Sequence, residues 1–356
     1  MAILKKLNIT GYEEVIFYED DKAGLKTIIA IHDTTLGPAV GGTRMLPYKN
    51  EQDALSDVLR LSRAMTYKAA AAGLDFGGGK AVIIGDAERD KSEKLLRAFG
   101  KFVEILNGRF LTGEDVGTSS DDMRIVGQET KYAIYPPKSY EAEHQAFFLT
   151  AFGVLRGIQA SVKEMYGNDS LSGIRVAIQG VGKVGDQLAR LLHAEGAKLT
   201  LTDLNDSRLR AISKEIGTEF VKPHEIYQVD TEVFSPCALG GILNNEVVPL
   251  IRCKIVAGAA NNQLADEWYA EELWKRGILY APDYVINAGG LISALYEMGI
   301  CDKATVIRMT SEIYDRLRAI FHLARSEKIP TQVVANRMVE ERIFQAKKCK
   351  TKEVKV

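Results

Sequence analysis

The chain has 356 residues, 46 of them Lys or Arg and 47 Asp or Glu, with 46% hydrophobic and 26% charged. That is the composition of a globular protein of about two domains, each long enough to bury its own core. The balanced charge excludes a polyanion binder built on a clustered basic excess, and no run reaches the ~18 apolar residues of a membrane span, so neither nucleic acid nor membrane is expected as a partner.

In the first third, residues 25–32 (LKTIIAIH) read as a strand and residues 36–42 as a loop punctuated by Gly and Pro. Residues 52–72 read as a helix whose apolar positions Val58, Leu61, Met65 and Ala72 share one face. The run Asp75-Phe-Gly-Gly-Gly-Lys80 breaks it, and residues 81–84 read as a strand. Ser92 is placed to cap a helix that Asn107-Gly108 stops. A boundary falls near residues 135–150, at the Pro136-Pro137 pair, followed by a helix over about 150–166. Beyond it, strands at 175–179, 198–202, 231–234, 254–257 and 279–281 alternate with helices, the mark of a parallel α/β sheet. Two long helical stretches, about 302–327 and 330–346, close the chain, with return to the first domain as one option. Residues 347–356 carry five lysines and one glutamate and read as a solvated, frayed end, with an interface role as the alternative.

The four cysteines, Cys237, Cys253, Cys301 and Cys349, show no CxxC spacing, and the five histidines are scattered, so neither a disulfide framework nor a metal site is expected. With no signal peptide in the opening residues, a reduced cytoplasmic setting is expected.

Gly180-Val-Gly182-Lys-Val-Gly185 follows the strand RVAIQ and opens a helix. A GxGxxG in that context has a mechanism: the first glycine turns tightly, the second lets backbone approach a pyrophosphate, and the third lets helix and strand close up. Asp203, 23 residues after Gly180, stands where an acid accepts hydrogen bonds from a ribose and repels a 2′-phosphate, which favours NAD over NADP. Lys68 lies on the apolar stripe of its helix and Lys80 follows three glycines. Each alone reads as a snorkelling or a turn lysine. Together, near one pocket, they suggest a carboxylate anchor and a base. Asp115, in TGEDVG, reads equally as a turn residue.

These segments resemble the NAD-dependent amino-acid dehydrogenases acting on leucine, phenylalanine, valine and glutamate, and the resemblance runs through GPAVGGTR (37–44), MTYK (65–68), GGGK (77–80), TGEDVG (112–117), QGVGKVG (179–185), SPCALGG (235–241), AANNQL (259–264) and APDYVINAGG (281–290). It implies reversible oxidative deamination of an L-amino acid to a 2-oxo acid and ammonia. It also implies a fold of two α/β domains with a cleft between them: a mixed α/β substrate domain (1–140 plus 328–356) and a Rossmann-type doubly wound parallel-sheet NAD domain (141–327). Lys80 would be the general base that activates water, Lys68 would bind the substrate carboxylate and Asp115 would assist proton transfer. Val40, Gly41, Gly42, Met65, Gly113, Asn262, Leu291 and Ala294 would line the substrate. Arg44, Thr150, Val181, Lys183, Val184, Leu204, Cys237, Ala238 and Asn261 would join Gly180, Gly182, Gly185 and Asp203 at the cofactor. A homo-oligomer, often an octamer in such proteins, is implied.

The resemblance also bears on the substrate. Val40 stands where glutamate-specific members have a lysine, so a γ-carboxylate would be left unpaired. Gly113 and Leu291 match the phenylalanine enzymes, where leucine enzymes have alanine and valine. A bulky apolar or aromatic substrate is expected, phenylalanine first and tryptophan next, with a branched-chain enzyme as the alternative. One segment departs: residues 139–149 replace a glycine-rich run with bulky and charged residues, Glu141, Glu143 and His144 among them, which either extend a helix or reach the cleft. That departure motivates a second reading, a dinucleotide-binding protein without chemistry. A third, a hydroxy-acid oxidoreductase, would employ a histidine that no site segment supplies.

Overall fold

The computed structural model describes residues 2–137 and 140–353, and secondary structure alone for Ala2, 140–143 and 351–353. Ser139 of the departing segment and the last three residues of the lysine-rich end lie outside the described residues. The chain divides into two compact units: Met1–Glu143 with Glu297–Ile300 and Val339–Val356, and His144–Tyr296 with Cys301–Met338.

The first unit is a six-stranded sheet in the order β1-β2-β3-β5-β4-β6. Its strands are β1 (Ala2–Leu7), β2 (Glu14–Asp20), β3 (Leu25–Asp33), β4 (Ala39–Leu46), β5 (Gly77–Ile84) and β6 (Phe110–Glu114). β1, β2, β3 and β5 pair antiparallel, whereas β4 runs parallel to both β5 and β6. Successive side chains of a strand face opposite ways. Ile28 and Ala30 therefore join Val15 and Val82 under α1 (Glu51–Ala71), meeting its Ala54 and Val58. Ile29 and Ile31 face the other layer, where α2 (Glu93–Ile105) brings Phe99 and Phe102 and α3 (Ser120–Val126) brings Met123. Burial on both faces is why β3 reads as an unbroken apolar run. Ser92 caps α2 by accepting from the Leu95 amide, as its position predicts.

Two expectations are corrected here. Residues 39–42 are not loop but the start of β4, and the GGGK run is not a breaker but the start of β5. The reason is crowding. A Cβ on Gly78 would lie 2.1 Å from the Thr66 backbone nitrogen, and one on Gly41 would lie 1.9 Å from the Gly79 carbonyl oxygen. The glycines let α1 and neighbouring strands approach closely, a use that turn rules misread. β1, β2 and β6 had no place in the sequence reading.

The second unit opens within α4 (Tyr140–Tyr166) and continues β7 (Arg175–Gln179), α5 (Lys183–Ala194), β8 (Lys198–Thr202), α6 (Asp206–Ile216), β9 (Glu219–Phe220), β10 (Val233–Pro236), β11 (Ile255–Val256), α7 (Tyr269–Lys275), β12 (Leu279–Tyr280), α8 (Asp283–Ile286), α9 (Gly289–Glu297), α10 (Lys303–Ser311), α11 (Ile313–Glu327) and the start of α12 (Thr331–Glu353), which from Val339 belongs to the first unit. The six strands are all parallel in the order β12-β11-β10-β7-β8-β9. The order reverses between β7 and β10, the switch point at which such sheets open a crevice beyond their strand ends. α4 starts ten residues before the expected position, so the departing segment extends a helix from Tyr140. The stretch expected as one helix over 302–327 is two, parted at Glu312. The lysine-rich end continues α12 to Glu353 rather than fraying at Lys347, and Lys347 Nζ pairs with Asp33 Oδ2 at 3.0 Å.

Gly78→Ala is expected to destabilise the protein by about 3 kcal/mol or more, because backbone rather than a flexible side chain occupies the space. Urea denaturation checks this, with Gly113→Ala, whose added methyl meets nothing closer than 3.7 Å, as the benign comparison.

Candidate active site

In the first unit the parallel strands carry the charged residues. Lys80 lies on β5 opposite Ala30 of β3, with a side chain only 8% exposed. A buried ammonium needs a partner. Lys80 Nζ lies 2.9 Å from Asp115 Oδ2, just beyond β6. The same oxygen accepts from Arg44 Nε at 3.0 Å, and Arg44 Nη1 donates to Asp57 Oδ2 at 2.9 Å. Tyr48 Oη donates to that Asp57 oxygen at 2.7 Å, and Arg60 Nη2 to its other oxygen at 2.8 Å. The result is a row of alternating charge, Lys80–Asp115–Arg44–Asp57. Burial pushes the Asp115 carboxyl up, but the Lys80 ammonium and the Arg44 guanidinium overcome it and hold the pKa down to about 2. Burial and the Asp57 carboxylate push the Tyr48 phenol up.

Asp115 is more than a turn residue. Its amide donates to Thr118 Oγ1 at 2.9 Å, and that hydroxyl donates to the Thr43 carbonyl at 2.7 Å, which fastens the loop to β4. A Cβ on Gly42 would lie 2.9 Å from Asp115 Cβ, so this glycine leaves the carboxylate its place. Val40 is buried on β4, and Lys68 and Met65 are half-buried on α1. The partner of the Lys80 ammonium is a carboxylate, and the second cation on that carboxylate is Arg44.

In the second unit Gly180 has φ +94°, and a Cβ there would lie 2.9 Å from Ala238 Cβ. A Cβ on Gly185 would lie 2.0 Å from the Gly180 carbonyl oxygen, whereas one on Gly182 would meet only Arg208 Nη1 at 3.8 Å. So the first glycine turns, the third packs, and the second presents bare backbone at the first turn of α5, where free N–H groups suit an anion. This cradle fits a dinucleotide pyrophosphate. Asp203, at the end of β8, accepts from the Val181 amide at 2.7 Å and the Asn205 amide at 2.8 Å. The Cys237 amide donates to the Gln179 carbonyl at 2.8 Å, which seats the Cys237–Ala238 turn beside the glycine loop, and burial pushes its thiol up, as an inert lining residue requires. Val181 is buried, Val184 half-buried and Leu204 89% exposed. Lys183 Nζ sits 4.7 Å from the Phe147 ring centroid.

Asn262 has φ +50°, and its carbonyl accepts from the Gly241 amide at 2.7 Å. Asn261 Oδ1 accepts from Asn287 Nδ2 at 2.9 Å, while Asn287 Oδ1 is buried without a hydrogen-bond partner. Thr150 Oγ1 donates to the Ala146 carbonyl at 2.7 Å, and a Cβ on Gly290 would lie 2.8 Å from it. Leu291 is half-buried and Ala294 buried on α9.

Sequence reasoning missed Asp57, Tyr48, Arg208, Phe147 and Asn287. Asp57 had a signal, because it precedes Lys68 by eleven residues, three helical turns on the same stripe. Asn287 lies in a quoted segment without having been singled out. Arg208 and Phe147 gave none.

The class that a doubly wound sheet with a glycine cradle and a buried lysine–aspartate pair defines is a nucleotide-dependent oxidoreductase. Residues 13–132 match the family model described as Glu/Leu/Phe/Val dehydrogenase, dimerisation domain, and residues 199–350 match Glutamate/Leucine/Phenylalanine/Valine dehydrogenase. A leucine dehydrogenase of Geobacillus stearothermophilus is 48% identical over 99% of this chain and 96% of its own. A phenylalanine dehydrogenase of Lysinibacillus sphaericus is 50% identical over 94% of this chain and 89% of its own. The crystal structure of L-tryptophan dehydrogenase from Nostoc punctiforme superposes with a TM-score of 0.82 at 47% identity, covering 95% of this chain and 97% of that one. The chain therefore belongs to the Glu/Leu/Phe/Val dehydrogenase family and is an amino-acid dehydrogenase acting on a CH–NH2 group. Among the described residues no helix is long and apolar enough to cross a membrane.

The depressed Asp115 pKa sets a pH dependence. Its contribution to stability is complete above the ordinary carboxylate range near pH 4 and is lost as pH falls toward 2. About 2 kcal/mol of stability is at stake. Denaturation midpoints of wild type and Asp115→Asn, compared across pH 5 to about 2, should converge as the pH falls.

Proposed function

We propose that the protein catalyses the reversible NAD-dependent oxidative deamination of a bulky apolar or aromatic L-amino acid, phenylalanine first and tryptophan next, to the 2-oxo acid and ammonia. The observation that carries this reading is the buried Lys80–Asp115 pair, a base and its charge partner fixed on strand ends. Lys68 holds the substrate carboxylate, and Asn262 holds the substrate at its polar end. Lys80 takes a proton from the water whose oxygen attacks the imine carbon. Asp115, kept ionised, stabilises the ammonium so formed and assists the proton's return when ammonia leaves. The backbone of Gly41 and Gly42 lines the same substrate pocket. NAD, when bound, supplies the hydride acceptor. Gly180, Gly182, Gly185, Val181, Lys183 and Val184 hold its pyrophosphate. Asp203 and Leu204 take the adenosine side, and Arg44, Thr150, Cys237, Ala238 and Asn261 the nicotinamide side. The Asp203 carboxylate supports NAD over NADP, since a 2′-phosphate would meet a negative charge. The dimerisation-domain match supports a homo-oligomer, and we place the enzyme in the cytoplasm.

The substrate reading rests on Gly113. Its backbone does not demand glycine, and a Cβ there would meet only Ile134 atoms at 3.7 Å or more. An added methyl would sit in ordinary van der Waals contact with Ile134, so its absence leaves about a methyl's volume more room, in keeping with a ring. The leucine dehydrogenases among the relatives support a second reading, a branched-chain substrate, and the same position separates the two.

NADH formation across a panel of L-amino acids, with NADP in parallel, tests the whole reading. Turnover of leucine far above every aromatic substrate would discard the ring assignment. Lys80→Ala should cut kcat by about 10² to 10⁴ while NADH affinity stays within about twofold, and Lys68→Ala should chiefly raise KM. Gly113→Ala should move the leucine-to-phenylalanine ratio of kcat/KM toward leucine by about tenfold.

A further inference from the structure

At the β12 edge of the second unit, the end of α4, α7 and the end of α11 enclose a cavity of about 490 Å³, within the size range of small-molecule sites. No residue assigned above to substrate or cofactor lines it. Its wall is apolar, formed by Met165, Trp274, Ile278, Phe321, Ala324 and Ile329. Trp274 keeps 45% of its surface exposed, a large indole left half in water. The other side is cationic. Arg325 and Lys328 line it beside Thr331, the first residue of the 23-residue α12.

Lys328 has φ +56°, in the left-handed conformation that ends α11 and favours glycine, so this lysine is kept at a conformational cost. Its amide donates to the Ala324 carbonyl, but its side chain makes no ion pair or hydrogen bond among the described residues. Glu164, the one acid in the lining, is 7% exposed and already paired with both Arg318 and Arg325, so its charge is spoken for.

We propose that this cavity binds a small apolar monocarboxylate, its carboxylate meeting Lys328 and Arg325 at the first turn of α12 and its hydrocarbon lying between Trp274 and Phe321. The start of a helix and two cations suit an anion, and the wall suits an aromatic or branched chain. A free amino acid fits poorly, because Lys328 and the two arginines that share Glu164 leave a net positive charge and no unpaired acid in the lining to receive its ammonium. The class includes both simple carboxylic acids and 2-oxo acids.

The sequence has two tryptophans, so Trp268→Phe leaves Trp274 as the sole tryptophan, which is excited at wavelengths where tyrosine does not absorb. In that background 3-phenylpropanoate should change the emission saturably. Phenylpyruvate should do the same if a 2-oxo group is tolerated, and its failure beside 3-phenylpropanoate would narrow the class to simple acids while supporting the site. Phenylalanine and phenethylamine should bind at least about tenfold more weakly. Lys328→Gln should weaken 3-phenylpropanoate by about fivefold, and Ala324→Phe should abolish its binding. Lys68→Ala should leave binding unchanged, which separates this cavity from the proposed substrate site. Absence of saturation, equal binding of the amine, or a signal lost in Lys68→Ala but retained in Lys328→Gln would overturn the proposal. Lys328 is exposed, so its variant decides the question even if Ala324→Phe does not fold.

Discussion

The first unit depends on a lysine that has been drawn out of water. Lys80 sits in the middle of a sheet with almost no exposure, and an uncompensated ammonium there would cost more than most domains have to spare. Asp115 supplies the opposite charge, Arg44 balances Asp115, and Asp57 balances Arg44, so the row ends at the surface side of α1 with Arg60. The three strands and one helix that contribute to this row must lie at fixed separations. Glycines at positions 41, 42, 78 and 79 set those separations by leaving out every Cβ that would intrude. The charge row and the glycines are therefore one construction.

That construction explains how much could be read from the sequence. The second unit follows local rules: strand, glycine turn, helix, strand, acid. Each step is signalled by neighbours in the chain, and the parallel sheet with its switch point between β7 and β10 follows from the alternation. In the first unit the glycines answer to partners far away in sequence. Gly78 is glycine because of Thr66, and Gly42 because of Asp115. No local rule reports this, so the starts of β4 and β5 were read as loop and breaker. Among the candidate site residues, Lys80 and Asp115 were legible as members of motifs, but their mutual contact was not. Arg208 was invisible because it approaches Gly182 from a different helix.

The departing segment resolves along the same lines. Its bulky residues prolong α4 by whole turns, and Phe147 on that extension lies against the ammonium of Lys183 in the glycine loop. A cation held over a ring at the first turn of α5 keeps positive charge beside the anion cradle. The extension thus sets an aromatic ring against the first turn of α5.

The glycines of the first unit fall into two kinds, and the difference bears on how such a protein drifts. At Gly41, Gly42 and Gly78 any side chain strikes backbone within 2.6 Å, so these positions are closed to every other residue. At Gly113 the nearest atom is 3.7 Å away, and one nucleotide change in the codon converts glycine to alanine. The frame is frozen while Gly113 has room for a methyl group. A lineage built on this chain can explore neighbouring side-chain volumes in one genetic step without first acquiring a compensating mutation.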